Sequence, residues 1–331
     1  MDDRLPFVSI IIAVKPEQKE IEAVNSALKL NYPRERFEII IARGRHPSAQ
    51  RNAALKEAKG EIIYFLDDDS VPHSDAINNA VKYFSDKSVA IVGGPNLCPP
   101  DTPFIEQVFA VILSSFIAFG PSRARYWKVG KPRPTTEKEL ILCNMFIRKE
   151  TLVKFGGFDT NLYPNEENAL MDALVQNNYK LIYDPEVFVY RRPRRNLRAF
   201  TKMLFNYGRG RAEQFRLHPS FGSALNFVPP FFCLYLVLLI LSIIAKSSFG
   251  LYFAIPLGLY LIAVLAQTKV CIFQHGLVKS LAAMPLQVLT HICYGCGFIR
   301  GLFTKPTPPP DVVLLNIKIE KIQVDVSYKT E

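Results

Sequence analysis

The most informative stretch of this sequence is Glu61-Ile62-Ile63-Tyr64-Phe65-Leu66-Asp67-Asp68-Asp69, in which an apolar run ends in three consecutive acids. Such a run predicts a buried strand, and open α/β sheets bind their ligands beyond the carboxyl ends of their strands. Because alternate residues of an extended segment point the same way, Asp67 and Asp69 are expected to act together while Asp68 points elsewhere. Acids that only cap a loop would give the same pattern, so the neighbouring sequence is needed to distinguish a loop cap from a ligand-binding site.

Strand and helix patterns alternate on both sides of this stretch. The segments Val8 to Val14 and Phe37 to Ala42 predict buried strands, and the helical pattern from Ser48 to Ala58 leads into the acidic strand. Farther on, strands are predicted at Val89 to Gly93 and Leu140 to Arg148, and a helix at Asn165 to Asn177. This order predicts an α/β fold with a Rossmann-like sheet flanked by helices.

Apolar residues are spread unevenly along the 331 residues. The segments Leu225 to Ala245, Ser247 to Thr268 and Ser280 to Ile299 contain no charged residue. Each is close to the roughly 20 residues that cross a bilayer core, although core helices of a large soluble domain remain the alternative. Phe104 to Phe119 is also apolar, but Glu106 favours a helix at the membrane interface.

Positive charge is concentrated just before the first apolar segment. Between Arg191 and Arg216, nine Lys or Arg accompany one acid, Glu213, and the net charge of the chain is +10. Beside an apolar segment, such a cluster favours lipid headgroups over nucleic acid. By the positive-inside rule, the chain is expected to be a multi-pass protein of the cell membrane with its N-terminal domain in the cytoplasm.

Together these patterns predict four regions. The predicted boundaries are a catalytic domain over 1–190, a basic interfacial amphipathic helix over 191–222, a transmembrane region with about three helices over 223–303, and a tail over 304–331. The tail alternates apolar and polar residues from Val312 to Tyr328, which predicts one or two strands. An edge strand tends to pair, so we expect the tail to bind the catalytic domain of the same subunit or of a neighbouring one. Pairing with a neighbouring subunit would produce a homo-oligomer.

Several motifs in this order resemble family 2 glycosyltransferases. They are Val8-Ser9-Ile10-Ile11-Ile12, Gln50-Arg51-Asn52-Ala53-Ala54, Lys59-Gly60-Glu61-Ile62-Ile63 and Phe65-Leu66-Asp67-Asp68-Asp69. Gly156-Gly157-Phe158-Asp159, Asn165-Glu166-Glu167 and Tyr207-Gly208-Arg209-Gly210-Arg211 are similar to the membrane branch typified by a succinoglycan glycosyltransferase. The resemblance implies a GT-A nucleotide-sugar domain in an inverting transferase with a nucleotide-diphosphate donor and a lipid-linked, often polyprenyl, acceptor.

The resemblance also implies roles for individual residues. Glu17 is expected at the base or ribose, Arg51 at the nucleotide, and Asp67 and Asp69 at the nucleotide and a metal. Hard carboxylate oxygens suit Mg²⁺ or Mn²⁺, which neutralises the charge that develops on a diphosphate leaving group.

Arginines are the remaining predicted ligands of the donor. Arg191, Arg192 and Arg194 follow a predicted strand, and forked guanidinium groups suit diphosphate oxygens. In the family that this sequence resembles, the second strand usually ends in an acid that recognises the nucleotide base. Here those positions hold Ala42, Arg43 and Gly44. Arg43 could instead contact the base or a phosphate, or it could be a solvated loop arginine.

The acceptor side is expected at Glu166 and Glu167. An inverting displacement needs a carboxylate to take the proton of the attacking hydroxyl, and Glu167 is assigned that role with Glu166 as its neighbour. If the acceptor is a lipid phosphate, the nucleophile is already ionised and no base is required. A catalytically impaired scaffold subunit is the alternative function, whereas a processive synthase is disfavoured because the Gln-x-x-Arg-Trp motif is absent.

Overall fold

The structure is a computed structural model that describes residues 5–162, 165–217, 219, 221–246, 250–304 and 316–322. The chain forms two compact units. The first comprises Met1–Pro99, Ala124–Arg191 and Thr307–Glu331, and the second comprises Pro100–Arg123 and Arg192–Pro306.

Strands and helices alternate through the first unit as predicted. The strands are β1 (Val8–Val14), β2 (Phe37–Arg43), β3 (Ile62–Asp67), β4 (Val71–Pro72), β5 (Val89–Gly93), β6 (Asn96–Leu97), β7 (Arg133–Thr135), β8 (Asn144–Arg148), β9 (Lys180–Tyr183), β10 (Val189–Tyr190) and β11 (Lys318–Ile322). The helices of the chain are α1 (Glu22–Ala27), α2 (Pro47–Glu57), α3 (Ala76–Val81), α4 (Phe104–Leu113), α5 (Phe116–Phe119), α6 (Lys149–Lys154), α7 (Glu166–Gln176), α8 (Leu197–Leu217), α9 (Val228–Ile244), α10 (Gly250–His275) and α11 (Leu277–Phe303).

A mixed sheet organises the first unit, with the strand order β11-β2-β1-β3-β8-β5-β9-β7. Strands β1, β2 and β3 are parallel, so their carboxyl ends at Val14, Arg43 and Asp67 lie at one edge. One apolar cluster includes Ile10, Ile39 and the buried residues of α1, and another includes Ile11, Ile40 and residues of α7. The alternation of these neighbours along the strands places the two clusters on opposite faces, which confirms the predicted α/β class.

A second, smaller sheet lies beside the acidic triplet. Its strand order is β4-β10-β6, with Tyr190 opposite Val71. The backbone N–H of Arg191 also donates to the carbonyl of Leu97 at 2.9 Å. This pairing brings the residue after β10 next to the turn that follows β3.

The predicted tail contains one described strand. β11 pairs antiparallel with β2 of the same chain, with Lys318 opposite Arg43 and Ile322 opposite Ile39. Ile319 and Ile322 pack against the two apolar clusters. The rest of the predicted 312–328 strand region, except residues 316 and 317, lies outside the described residues.

The second unit is helical. Among the residues that the structure describes, three helices are long and apolar enough to cross a membrane, and the number is four if a bent pair of helices forms one further span. They cover Ala224–Ile244, Tyr252–His275 and Leu277–Phe303. One pair of apolar helices, Phe104–Leu113 and Phe116–Arg125, is bent by 63°. Residues Pro100–Arg123, which contain α4 and α5, belong to this helical unit, and Ser115 between the two helices donates to Gln287 of α11 at 3.1 Å.

Close helix contacts explain part of the basic glycine motif. A Cβ placed on Gly208 of α8 would lie 2.0 Å from the carbonyl oxygen of Tyr294, and one on Gly297 of α11 would lie 2.0 Å from that of Phe205. Neither position has room for a side chain, so both glycines are needed for the two helix backbones to pack directly.

Candidate active site

The acidic triplet ends β3 at the carboxyl edge of the sheet. Asp67 and Asp69 both face Arg191, whose Nη1 lies 2.9 Å from Asp67 Oδ2 and whose Nε lies 2.5 Å from Asp69 Oδ1. Asp68 instead interacts with the side chain of Gln18, and burial raises the pKa of its carboxyl, as do the charges of Asp69 and Asp67. Arg191 therefore bridges Asp67 and Asp69, whereas Asp68 has a different partner.

Helix α2 fixes this edge through three consecutive residues. The Gln50 amide donates to the carbonyls of Val14 and Ala42, at 2.9 and 2.6 Å, which ties the ends of β1 and β2 together. Asn52 exchanges two hydrogen bonds with the backbone of Phe158, at 2.8 and 2.9 Å. Asn52 also lies close to Gly157, whose φ of +79° and crowded Cβ position both require glycine.

Arg51 lies between Gln50 and Asn52 and joins the two acidic groups of the site. Its Nη2 lies 3.1 Å from Asp67 Oδ1 and its Nη1 lies 3.1 Å from Glu166 Oε1. The side chains of Arg51 and Glu166 are 6% and 3% exposed, so this contact is almost dry. Burial, with the charge of Glu167, raises the pKa of Glu166 to about 7, although Arg51 opposes that shift.

This shift predicts a pH-dependent stability. A carboxyl with a raised pKa in the folded state stabilises that state most when it is protonated, below its ordinary value of 4.5, and the contribution is lost as pH rises through about 7. For Glu166 the contribution is at most roughly 3 kcal/mol. We expect the melting temperature of wild type relative to Glu166→Gln to fall between pH 5 and pH 7.5, measured by thermal unfolding in detergent.

The matched control for this measurement is Glu22→Gln, since Glu22 is an exposed acid in the first turn of α1. The melting temperature of Glu22→Gln should change with pH in the same way as that of wild type. Parallel curves for Glu166→Gln as well would show that Glu166 keeps an ordinary pKa.

Glu167 is half-exposed at the start of α7, beside the buried Glu166. The amide of Asn168 donates to Glu167 Oε1 at 3.0 Å and to Asn165 Oδ1 at 2.8 Å. Arg125 Nη2 donates in turn to Asn168 Oδ1 at 2.7 Å. Asn168 and Arg125 therefore orient Glu167, a role that no motif in the sequence indicated, because Arg125 is 43 positions away from Asn168 in the chain.

Glu17 and Arg192, two further predicted site residues, contact residues outside this cluster. Glu17 Oε2 lies 3.2 Å from Nη2 of Arg45, and both side chains are exposed. The Arg192 fork donates to both oxygens of Glu106, at 2.9 and 3.0 Å, within the helical unit. Arg194 is exposed.

Arg43 pairs with an acid that no sequence motif indicates. Arg43 Nε donates to Glu320 Oε1 at 2.7 Å, and its Nη1 donates to the carbonyl of Gln18 at 2.5 Å. The alternation of Lys318 and Glu320 with isoleucines in the tail was the available signal for a paired strand. Only the register of β11 on β2 could assign Glu320 to Arg43.

Known proteins resemble this chain over the same region. A family model described as glycosyltransferase-like family 2 matches residues 2–207. Glycosyltransferase AglE of Haloferax volcanii is 21% identical over 246 residues, which are 66% of this chain and 77% of that protein. O-antigen chain rhamnosyltransferase RfbN of Salmonella typhimurium is 27% identical over 147 residues, which are 44% of this chain and 45% of that protein.

Two further likenesses complete the comparison. A pre-mycofactocin glycosyltransferase of Mycobacterium tuberculosis is 23% identical over 188 residues, 53% of this chain and 36% of that protein. The solved structure of mannosyltransferase PcManGT from Pyrobaculum calidifontis, in complex with GDP-Man and Mn²⁺, has a TM-score of 0.55 at 16% identity and covers 91% of this chain and 88% of that one. A structural likeness at this identity shows the fold.

Proposed function

This chain belongs to glycosyltransferase family 2, and on that basis we propose that it moves a sugar from a nucleotide-diphosphate donor to a membrane-associated, polyprenyl-linked acceptor, with inversion at the anomeric carbon. Its first unit has the GT-A fold that the sequence resemblance implied. One relative is named as an O-antigen chain rhamnosyltransferase, which supports a role in polysaccharide or glycan assembly.

The observation that carries the proposal is the cluster at the carboxyl edge of the sheet. Asp67 and Asp69 both contact Arg191 there, and Arg51 connects Asp67 to Glu166. A guanidinium group, and carboxylates that can hold a divalent cation, suit a diphosphate leaving group, and an acid near the start of a helix suits a nucleophilic hydroxyl that must lose its proton.

The acids of this cluster suit a divalent cation. Among the residues that the structure describes, no group of three or more His, Cys, Asp or Glu could hold a metal. Mg²⁺ is commonly bound through one or two carboxylates together with substrate phosphates, so a pair of acids is a fitting donor set. We assign Asp69 and Asp67 to Mg²⁺ or Mn²⁺, which when bound would offset the charge of the diphosphate. Arg191 stays beside them to contact the diphosphate oxygens.

The two glutamates divide the work on the acceptor side. Glu166 is buried against Arg51, which leaves it as a positioning residue for that arginine. Glu167 is half-exposed and oriented by Asn168, so it is the group that can accept the proton of an attacking hydroxyl.

The pairing of β11 limits the path through a membrane. Strands β10 and β11 come before and after the helical segment 192–306, and both belong to the first unit. A single folded unit lies on one side of a bilayer, so this segment crosses an even number of times. We assign two full crossings to α9 and α10, with α11 re-entrant and the first unit in the cytoplasm. An epitope at residues 318–322 should then be protected from a protease added outside intact cells. Its digestion would contradict this assignment.

A donor screen tests the function. Full-length protein in lipid vesicles is supplied with polyprenyl phosphate or a polyprenyl-diphosphate sugar, together with a panel of UDP-, GDP- and dTDP-sugars, and nucleoside diphosphate release is measured. We expect one donor to release nucleoside diphosphate in an acceptor-dependent reaction that EDTA stops and excess Mn²⁺ restores. If neither polyprenyl phosphate nor polyprenyl-diphosphate sugars stimulate release from any donor, the proposed function is wrong.

A further inference from the structure

The carboxyl groups of Asp67 and Asp69 are in contact with guanidinium groups. Arg191 Nη1 lies 2.9 Å from Asp67 Oδ2, and Arg191 Nε lies 2.5 Å from Asp69 Oδ1. The other oxygen of Asp67 lies 3.1 Å from Nη2 of Arg51. One guanidinium group thus bridges the two carboxylates, and a metal ion that both carboxylates hold would need the same position between them.

The backbone of Arg191 is fixed, whereas its side chain is accessible. The N–H of Arg191 donates to the carbonyl of Leu97 at 2.9 Å, and the preceding Tyr190 pairs with Val71. The Arg191 side chain is 21% exposed, and the Asp69 side chain is 48% exposed. A ligand can therefore reach these ion pairs from solvent, and the guanidinium group can change partners by side-chain rotation while the small sheet stays intact.

Charge determines which cation the two acids hold. Neighbouring carboxylates repel each other, and a positive group between them offsets that repulsion. Arg191 already supplies such a group, and its charge repels a divalent cation that approaches the same acids. Without a further anion, Arg191 therefore weakens the binding of a metal to Asp67 and Asp69.

A diphosphate changes this balance. Guanidinium groups donate paired hydrogen bonds to phosphate oxygens, and a divalent cation is commonly bound by carboxylate and phosphate oxygens together. When a diphosphate binds, Arg191 can move its hydrogen bonds from the aspartates to the phosphate oxygens, which leaves both carboxylates to the cation. Every charged group of the site then keeps a partner of opposite charge.

We infer that Arg191 is an internal counter-cation of Asp67 and Asp69, which keeps a divalent cation from these acids until a diphosphate binds the guanidinium group. This inference rests on the proposed function and deepens it, because it makes the binding of metal and nucleotide interdependent. Coupling between two ligands is reciprocal, so the nucleotide also binds weakly without the metal.

The first measurement is the affinity for Mn²⁺ without nucleotide, read from the electron paramagnetic resonance signal of free Mn²⁺ with full-length protein in detergent. Arg191→Gln should bind Mn²⁺ roughly 5- to 150-fold more tightly than wild type, which is the usual size of coupling between two sites. Arg191→Lys keeps the positive charge, so its affinity should stay close to that of wild type.

Arg133→Gln is the matched control. Arg133 is another arginine with an acidic partner, Glu139 at 2.7 Å, but it belongs to β7, the last strand in the order of the large sheet. This variant changes the net charge by the same amount and should bind Mn²⁺ as wild type does. The same gain in Arg133→Gln as in Arg191→Gln would show a general effect of net charge and would overturn the inference.

Two further measurements locate the ion and detect the coupling. Asp69→Asn, added to Arg191→Gln, should remove the gain in Mn²⁺ affinity. In thermal unfolding of wild type, Mg²⁺ together with UDP or GDP should raise the melting temperature by more than the sum of the shifts that each causes alone. This excess should be smaller in Arg191→Gln, and the wild-type comparison still tests the inference if that variant does not fold.

Each other outcome has a definite meaning. The inference is wrong if Arg191→Gln binds Mn²⁺ no more tightly than wild type or than Arg191→Lys, if the gain persists in the double variant, or if the wild-type shifts are additive. In each of these cases, EDTA-sensitive transfer in the donor screen would leave the proposed function standing. If neither metal nor nucleotide shifts the melting temperature and the screen finds no transfer, both fail.

Discussion

Asp69→Asn is expected to reduce sugar transfer by at least about 10²-fold, because stabilisation of phosphoryl charge by a carboxylate-held cation contributes several kcal/mol. The substitution keeps the shape of the side chain and removes its charge. Asp67 would still contact Arg191 at 2.9 Å, so the edge of the sheet should stay folded. Transfer is measured by nucleoside diphosphate release, and nucleotide binding is titrated with and without Mn²⁺.

Asp86→Asn is the matched control for this variant. Asp86 is another acid with an ion-pair partner, Lys180 at 2.9 Å, but it precedes β5 at the opposite edge of the sheet. It should retain wild-type transfer. If Asp69→Asn transfers at the wild-type rate and still does so after chelation, the assignment of a metal to this acid pair is wrong.

Glu167→Gln is expected to lower turnover by roughly 10²–10⁴-fold, which is the usual contribution of a positioned general base. Glutamine can still accept the hydrogen bond from Asn168, now 3.0 Å from Glu167, so the geometry should persist. Donor affinity should stay close to that of wild type, since the carboxylate acts on the acceptor. Single-turnover rates and nucleotide titrations on the same preparation separate the two effects.

Glu166→Gln is the comparison that assigns the roles. If this variant is inactive while Glu167→Gln transfers normally, Glu166 is the base and the assignment is reversed. If both variants remain active, the nucleophile is already ionised, as a lipid phosphate would be. Our expectation is a large loss for Glu167→Gln and a smaller one for Glu166→Gln, whose partner Arg51 keeps its contact with Asp67.

Local patterns were enough to predict much of the catalytic unit. The run from Ile62 to Asp67 is a strand that ends in acids, and α2 carries the predicted Arg51. These features follow from hydrophobic periodicity and from residues adjacent in the chain, which is why they are readable without coordinates. Helix limits were less certain, since the segment predicted from Ser48 to Ala58 starts one residue earlier and ends one earlier.

Contacts between residues far apart in the sequence could be identified only from the tertiary structure. Arg191 was predicted as a diphosphate ligand, but only the pairing of β10 with β4 places it between Asp67 and Asp69. Likewise, only the tertiary structure shows that Arg192, the residue after Arg191, forms an ion pair with Glu106.

The sequence by itself determined the α/β class, the acids at the end of β3 and the apolar helices, because each is set by a local pattern of burial and charge. The tertiary structure alone decided that α4 and α5 belong to the helical unit, that Glu166 is buried against Arg51, and that Glu320 pairs with Arg43. The physical reason is sequence separation: ion pairs and strand register join residues up to 277 positions apart, and nothing in the local chain specifies such a partner.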